Sequence, residues 1–257
     1  MTRHHSKKSF KLTKVIGQGG FGTVLEGVVN NETVIIKCVD IDAGDKEIHF
    51  LEKLSNAPGI VQYITHFSDQ NYTYIVMRKI DNVVDLFTFL SSKEILSEPI
   101  AQIIVKQLVN ILYYCKQKCI LHNDIKDTNI LINPNTLQIT LIDFGAAEAW
   151  QNNCYYYKYK GTEYYSCPEW RHHRKYSANG MTSWSIGMLI YIMFFGEIPF
   201  DELFDFNEDK ICLNDISHLS QNAITFLSRC LTSDPVSRIT LDEMLCHAWI
   251  KTIFTEE

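Results

Sequence analysis

His122-Asn-Asp-Ile-Lys-Asp-Thr-Asn129, followed by Asp143-Phe-Gly145, is the stretch on which the reading turns. Between the two, Ile130-Leu-Ile132 and Gln138-Ile-Thr-Leu-Ile142 are short β-branched runs that read as a hairpin. Outward toward the N-terminus, similar runs recur at 11–16, 23–29, 33–39, 60–67 and 72–77, broken by Gly, Asn and Asp. One helix interrupts them. Over 46–54, Glu47, Phe50, Leu51 and Leu54 fall at i, i+3, i+4 and i+7, which turns Glu47 to the inward face. After Asp81 the chain becomes mostly helical. Ser97-Glu-Pro99 resembles a helix start, with Ile100, Ile103, Ile104, Gln107, Leu108, Ile111 and Leu112 as its inward stripe. A nearly all-apolar helix at 182–195 belongs in a core, and amphipathic stretches follow near 220–231 and 240–249. The pattern is an α+β chain: a tail at 1–9, a strand-rich N-lobe at 10–79 with a single helix, and a mainly helical C-lobe at 80–257, with 10–252 forming one domain.

Composition narrows the function. A chain of 257 residues with 46% hydrophobic content can bury one or two substantial cores. A net charge of −6 argues against a general nucleic-acid binder, which needs a surplus of Lys and Arg to neutralise phosphates. The eight cysteines lack CxxC or CxxC…HxxxH spacing, so they read as reduced thiols rather than a zinc knuckle or a redox pair. No secretory signal follows the first eight residues, and no run reaches the ~18 apolar residues that span a membrane. The expectation is a cytoplasmic or nuclear protein with no membrane and no direct nucleic-acid partner.

The polar residues point to one chemistry. Asp124 supplies a carboxylate that can orient a hydroxyl and accept its proton, and Lys126 a cation for charge developing on equatorial oxygens. Asn129 and Asp143 supply oxygen ligands for magnesium; together this is the set that phosphoryl transfer requires. Gly17-Gln-Gly19-Gly-Phe-Gly22-Thr-Val24 has the spacing of a phosphate-covering loop. Because 23–29 reads as a strand where a dinucleotide fold needs a helix, a flap between antiparallel strands is favoured. Lys37 stands in an apolar strand, where an unpaired ammonium is costly, and Glu47 is its natural partner.

With Gly161-Thr-Glu-Tyr-Tyr-Ser-Cys-Pro168-Glu169 and Asp234-Pro-Val-Ser-Arg238, these motifs resemble the eukaryotic-type protein kinase family from Phe10 to about Ile250. Segments 81–90, 124–132 and 196–200 are most similar to the Pim-type serine/threonine kinases, and the compact length resembles the baculovirus protein kinases, granulovirus forms included. The resemblance implies the bilobal protein kinase fold, with ATP and Mg2+ as nucleotide and metal, and a cytoplasmic or nuclear location in a virus-infected cell. It implies that Gly17, Gly19 and Gly22 close over phosphates and that the pair of Lys37 and Glu47 holds the α- and β-phosphates. Val24, Ile35 and Leu131 would sandwich adenine, with Met77 as gatekeeper, the Arg78 carbonyl and Ile80 N–H facing the ring, and Asp85 among the nucleotide-binding residues. Glu169 and Arg238 would form a buried ion pair bracing the substrate segment. Lys126 and Thr162 imply serine/threonine acceptors. The alternative is a pseudokinase or scaffold binding module, whose usual mark is loss of the active Lys, Asp or Asn; all are present.

Departures from the family pattern carry expectations of their own. Asn123 replaces the Arg that grips a loop phosphate, and no Ser or Thr lies between Ala146 and Lys160, so activity without loop phosphorylation is expected. Ile35 adds bulk where Ala is usual, implying modest ATP affinity. Thr182 stands where an Asp usually supports the loop at His122. Only nine residues separate Lys37 from Glu47, a short lead-in that suggests help from a partner, such as a homodimer through the Glu47 helix. Asp85, Asp127, Glu197, Asp201 and Glu202 suggest Arg/Lys-rich protein substrates, although Thr128 and Ile192 replace acidic residues of relatives.

Overall fold

The β-branched runs before Asp81 form one antiparallel sheet of order β1-β2-β3-β5-β4, from β1 (Phe10–Gly19), β2 (Gly22–Val29), β3 (Glu32–Asp40), β4 (Tyr63–Ser68) and β5 (Tyr72–Arg78). The computed structural model describes residues 10–20, 22–93, 95–198 and 217–252. The chain divides into two compact units, one ending at Asp81 and the other starting at Asn82. In the first, alternation sends Val34 and Ile36 of β3 into a cluster with Val29 and Val76, covered by Leu25, Phe67 and Tyr74. Helix α1 (Ile41–Lys53) starts five residues before the expected 46. Asp40 ends the strand in extended conformation and serves directly as N-cap. Gly44, within the extra first turns, must be glycine because a Cβ there would come 2.6 Å from the Thr73 Cβ of β5. A glycine at the crossing lets α1 lie against the sheet and bury Glu47, Ile48, Phe50 and Leu51.

The second unit runs β6 (Val84–Asp85), α2 (Leu86–Ser91), α3 (Glu98–Gln117), β7 (Ile120–Leu121), β8 (Ile130–Ile132), β9 (Ile139–Leu141), β10 (Glu148–Ala149), β11 (Tyr155–Tyr156), α4 (Pro168–His173), β12 (Tyr176–Ser177), α5 (Ala178–Phe195), α6 (Gln221–Cys230), α7 (Leu241–Cys246) and α8 (Ala248–Lys251). Its strands form small sheets, β6-β8-β9, β7-β10 and β11-β12. Helix α5 has the length and apolar composition of a membrane span, yet it is almost wholly buried within this unit, as a core helix is.

The buried stripe of α3 is rotated from the expected one. Ile103 is 43% exposed, while Ala101, Val105, Val109 and Cys115 join Ile104, Leu108 and Leu112 inside. Polar anchors set the rotation. Glu98 accepts from Ser220 N–H (2.7 Å), the Ser220 hydroxyl (2.6 Å) and Trp249 Nε1 (3.0 Å), and Gln102 Nε2 donates to the Trp249 and Thr252 carbonyls. Both are buried, so turning them outward would strand these groups. The 240–249 stretch divides at His247, which ends α7 and caps α8.

Candidate active site

In the first unit Lys37 is 3% exposed and Glu47, on the inward face of α1, is 2% exposed. Lys37 Nζ donates to both carboxylate oxygens, at 2.8 and 2.7 Å, so the burial cost of each charge is offset by its partner. The pair forms within a single chain. Register places Val24 opposite Lys37 and Ile35 opposite Met77, and residues two apart share a face. Val24, Ile35, Lys37 and Met77, singled out by separate motifs, therefore lie on one face of the sheet.

The glycines divide into two kinds. Gly22 has φ +119° and a Cβ there would come 2.2 Å from the Cys38 carbonyl oxygen, so the hairpin itself requires glycine. Gly17 and Gly19 face open space, and the described packing does not demand them. Past β5, Arg78 N–H donates to the Gln62 carbonyl (2.8 Å), while the Ile80 N–H finds no backbone acceptor among the described residues.

In the second unit the loop from His122 to Asn129 is tied to the segment at Asp143. His122 Nε2 bonds the Ile142 carbonyl at 3.0 Å, which leaves Nδ1 to accept from Asp124 N–H at 3.3 Å, and its ring meets Phe144 edge-on at 4.7 Å. These contacts hold His122, and Thr182 is buried on α5. The Asn129 carbonyl accepts from Ile142 N–H (2.9 Å). Asp124, almost wholly buried, is held at both oxygens: Oδ1 accepts from Thr162 N–H (2.7 Å), and Oδ2 from Asn129 Nδ2 (2.9 Å) and Lys126 Nζ (3.0 Å). Lys126 also donates to the Thr162 hydroxyl (2.8 Å). Thr162 is thus a hub that sequence reasoning used only for acceptor type; nothing local in the sequence signals a contact across that separation.

Two observations bear on magnesium. Asn129 Nδ2 also donates to the Asp124 carbonyl (2.9 Å), so both amide protons are committed and Oδ1 is the atom left to act as an acceptor or ligand. Asp143 adopts a left-handed φ of 63°, uncommon for a residue other than glycine, with Oδ1 accepting from Gly145 N–H (3.1 Å). No cluster of three His, Cys, Asp or Glu that could cage a metal occurs among the described residues. An amide oxygen with one carboxylate suits Mg2+, which is usually held by few protein ligands together with nucleotide phosphates.

The remaining residues occupy distinct places. Leu131 of β8 pairs with Asp85 of β6. Asp85 is the N-cap of α2, accepting from Thr88 N–H (2.7 Å) and the Thr88 hydroxyl (3.0 Å). Asp127, expected on an acidic rim, is only 9% exposed; burial pushes its carboxyl up, and the charge of Asp85 adds to this. Glu197 is exposed, whereas Asp201 and Glu202 lie outside the described residues. Glu169 and Arg238 form the expected buried pair through two bonds of 2.9 Å.

The family described as protein kinase domain matches residues 10–250. The chain is 31% identical over 271 residues to serine/threonine-protein kinase pim-2 of Danio rerio, across 96% of this chain and 86% of that protein. It is 32% identical over 268 residues to serine/threonine-protein kinase prk-2 of Caenorhabditis elegans, across 95% and 59%. Serine/threonine-protein kinase 1 of African swine fever virus (strain Badajoz 1971 Vero-adapted) is 29% identical over 256 residues, across 96% and 82%.

Proposed function

The chain belongs to the protein kinase family and is an ATP-dependent protein serine/threonine kinase; we propose that it acts on Arg/Lys-rich proteins and needs no phosphate on the loop before Gly161. The observation that carries the site assignment is the fixing of the buried Asp124 carboxylate by Thr162, Lys126 and Asn129. A carboxylate with one permitted orientation can align an acceptor hydroxyl and take its proton as the new P–O bond forms and the bond from the γ-phosphorus to the β-phosphate bridging oxygen breaks, releasing ADP. Lys126, already on Asp124 and Thr162, offers its ammonium to charge building on the transferred group. Lys37, held by Glu47, engages nucleotide phosphates. Magnesium, when bound, supplies charge neutralisation to those phosphates, and Asn129 and Asp143 would hold it.

A basic substrate is supported by the partly exposed Asp85, the exposed Glu197 and the net charge of −6, which would attract a guanidinium or ammonium. Independence from a loop phosphate is supported by Asn123, whose uncharged side chain donates to the Ala146 carbonyl (3.4 Å).

The test is transfer of radiolabel from ATP to a basic protein, with phosphoamino-acid analysis and phosphatase-treated enzyme alongside. Phosphoserine or phosphothreonine, abolished by Asp124→Ala and unaffected by phosphatase, is expected. Transfer indifferent to Asp124 would refute the site assignment, and a large loss after phosphatase would refute the independence. A binding module with a retained fold predicts no transfer at all.

A further inference from the structure

The loop from Ala146 to Lys160 has four tyrosines, and they have separate fates. Tyr157 is 70% exposed. Tyr155 and Tyr156 form β11, which pairs with Tyr176 and Ser177 of β12. The Tyr156 ring stacks on Tyr176 (5.2 Å between centroids), and Tyr176 meets Tyr159 (5.7 Å) and Trp170 (5.8 Å) edge-on. Tyr159 also packs on Trp170 (5.6 Å). Each hydroxyl has a backbone target: Tyr156 donates to the Ala149 carbonyl (2.6 Å), Tyr176 to Lys158 (3.1 Å) and Tyr159 to Thr162 (3.1 Å). Burial holds the Tyr159 and Tyr176 hydroxyls far above the ordinary phenol range, so they remain donors at any working pH. The chain turns back at Gly161, where a Cβ would come 2.3 Å from the Asn123 carbonyl oxygen and 2.5 Å from the Tyr159 hydroxyl.

We infer that Tyr156, Tyr159, Tyr176 and Trp170 form an aromatic clasp that does for this loop what a phosphate gripped by Arg would do, with Tyr159 as the positioning residue that sets Thr162 on Asp124 and Lys126. The chain of contact is direct: the Tyr159 hydroxyl fixes the Thr162 carbonyl, Thr162 N–H fixes Asp124 Oδ1, and the Thr162 hydroxyl holds Lys126. Asn123 fits the same device. It is buried with a left-handed φ of 67°, beside Tyr176 and close to Gly161, and it carries no cation to hold a dianion where Glu148 and Asp124 already place negative charge beside the neighbouring tyrosines. Stacked and edge-on rings hold their shape without a charged partner. The inference rests on the kinase reading and names how its loop is held.

The experiment compares kcat, the KM for ATP and tryptic cleavage after Lys158 and Lys160 in the full chain. Tyr159→Phe removes one hydroxyl and keeps the ring. It should lower kcat about three- to tenfold as Thr162 loses its fixed position, with the KM for ATP unchanged and the thermal midpoint lowered by no more than the few degrees one hydrogen bond accounts for. Tyr176→Leu removes the central ring and should lower kcat further while hastening tryptic cleavage; Tyr176→Phe should restore the protection. Tyr157→Phe should match wild type throughout. A Tyr159→Phe enzyme with wild-type kcat, or a Tyr176→Leu loss matched by loss of folded protein, overturns the clasp and leaves the kinase reading standing. A wild-type protein whose transfer does not depend on Asp124 overturns both.

Discussion

Replacing Arg238 by Met keeps most of the apolar stem but removes the guanidinium, and the structure sets what that should cost. All five N–H donors are used: Nε to the Thr232 carbonyl (2.8 Å), Nη1 to Glu169 Oε1 (2.9 Å) and the Gly180 carbonyl (2.8 Å), and Nη2 to Glu169 Oε2 (2.9 Å) and the Ser233 carbonyl (3.0 Å). Arg238 is 3% exposed, and a Cβ at Gly180 would lie 2.6 Å from Glu169 Oε1, so that side of the carboxylate is sealed. Removing one partner of such a pair costs about 3–5 kcal/mol, because the other charge is left in low dielectric. Domains are stable by about 5–15 kcal/mol, so a large share of stability is at stake. Urea unfolding followed by tryptophan fluorescence reads the effect in the right place, since Trp150, Trp170, Trp184 and Trp249 all lie beyond Asn82. Adding Glu169→Gln should recover part of the loss by removing the stranded charge. A loss under about 1 kcal/mol, the size of a solvent-exposed pair, would refute the reasoning, as would a double variant no better than Arg238→Met.

Lys37→Met should reduce transfer about 10²-fold or more, by removing a preorganised cation from the phosphates; near-normal radiolabel transfer would contradict its role. Gly22→Ala should destabilise the first unit by more than about 1 kcal/mol in hydrogen exchange of β2 and β3, because it must adopt a strained φ and collide with the Cys38 carbonyl. Gly17→Ala and Gly19→Ala should leave that exchange unchanged and alter only ATP kinetics; equal destabilisation at all three would be the wrong result. His247 Nδ1 accepts from Trp249 N–H, and burial with the Arg229 charge lowers the imidazole pKa from its ordinary 6.5. The folded chain therefore binds this proton less readily than the unfolded chain. Its contribution is complete above 6.5 and is lost as pH falls below that value toward the lowered pKa. The urea midpoint should drop less on acidification in His247→Asn than in wild type, and equal drops would contradict the assignment.

The candidate active residues were legible because their chemistry is local. Asp124, Lys126 and Asn129 lie within six positions, and a hairpin of β-branched residues separates them from Asp143, so type and spacing, together with the family resemblance they support, singled them out. The strands and the inward Glu47 followed from periodicity, since a period of two or 3.6 is written residue by residue. The start of α1 and the face of Ile103 differed from expectation for the same reason. What bears on them lies distant in sequence: Thr73, against which Gly44 lets the early turns of α1 pack, and the Ser220 and Trp249 anchors of α3.

Sequence by itself therefore determined the family and the class of reaction, and pointed to the residues proposed to bear it. Only tertiary structure decided that Asp127 is buried rather than on a rim, that Thr162 joins Asp124 to Lys126, and that four aromatic rings brace the loop beside them. Those facts depend on which side chains meet after the chain returns on itself. Contacts of that kind arise from packing and hydrogen-bond satisfaction over long separations, and no local pattern encodes them.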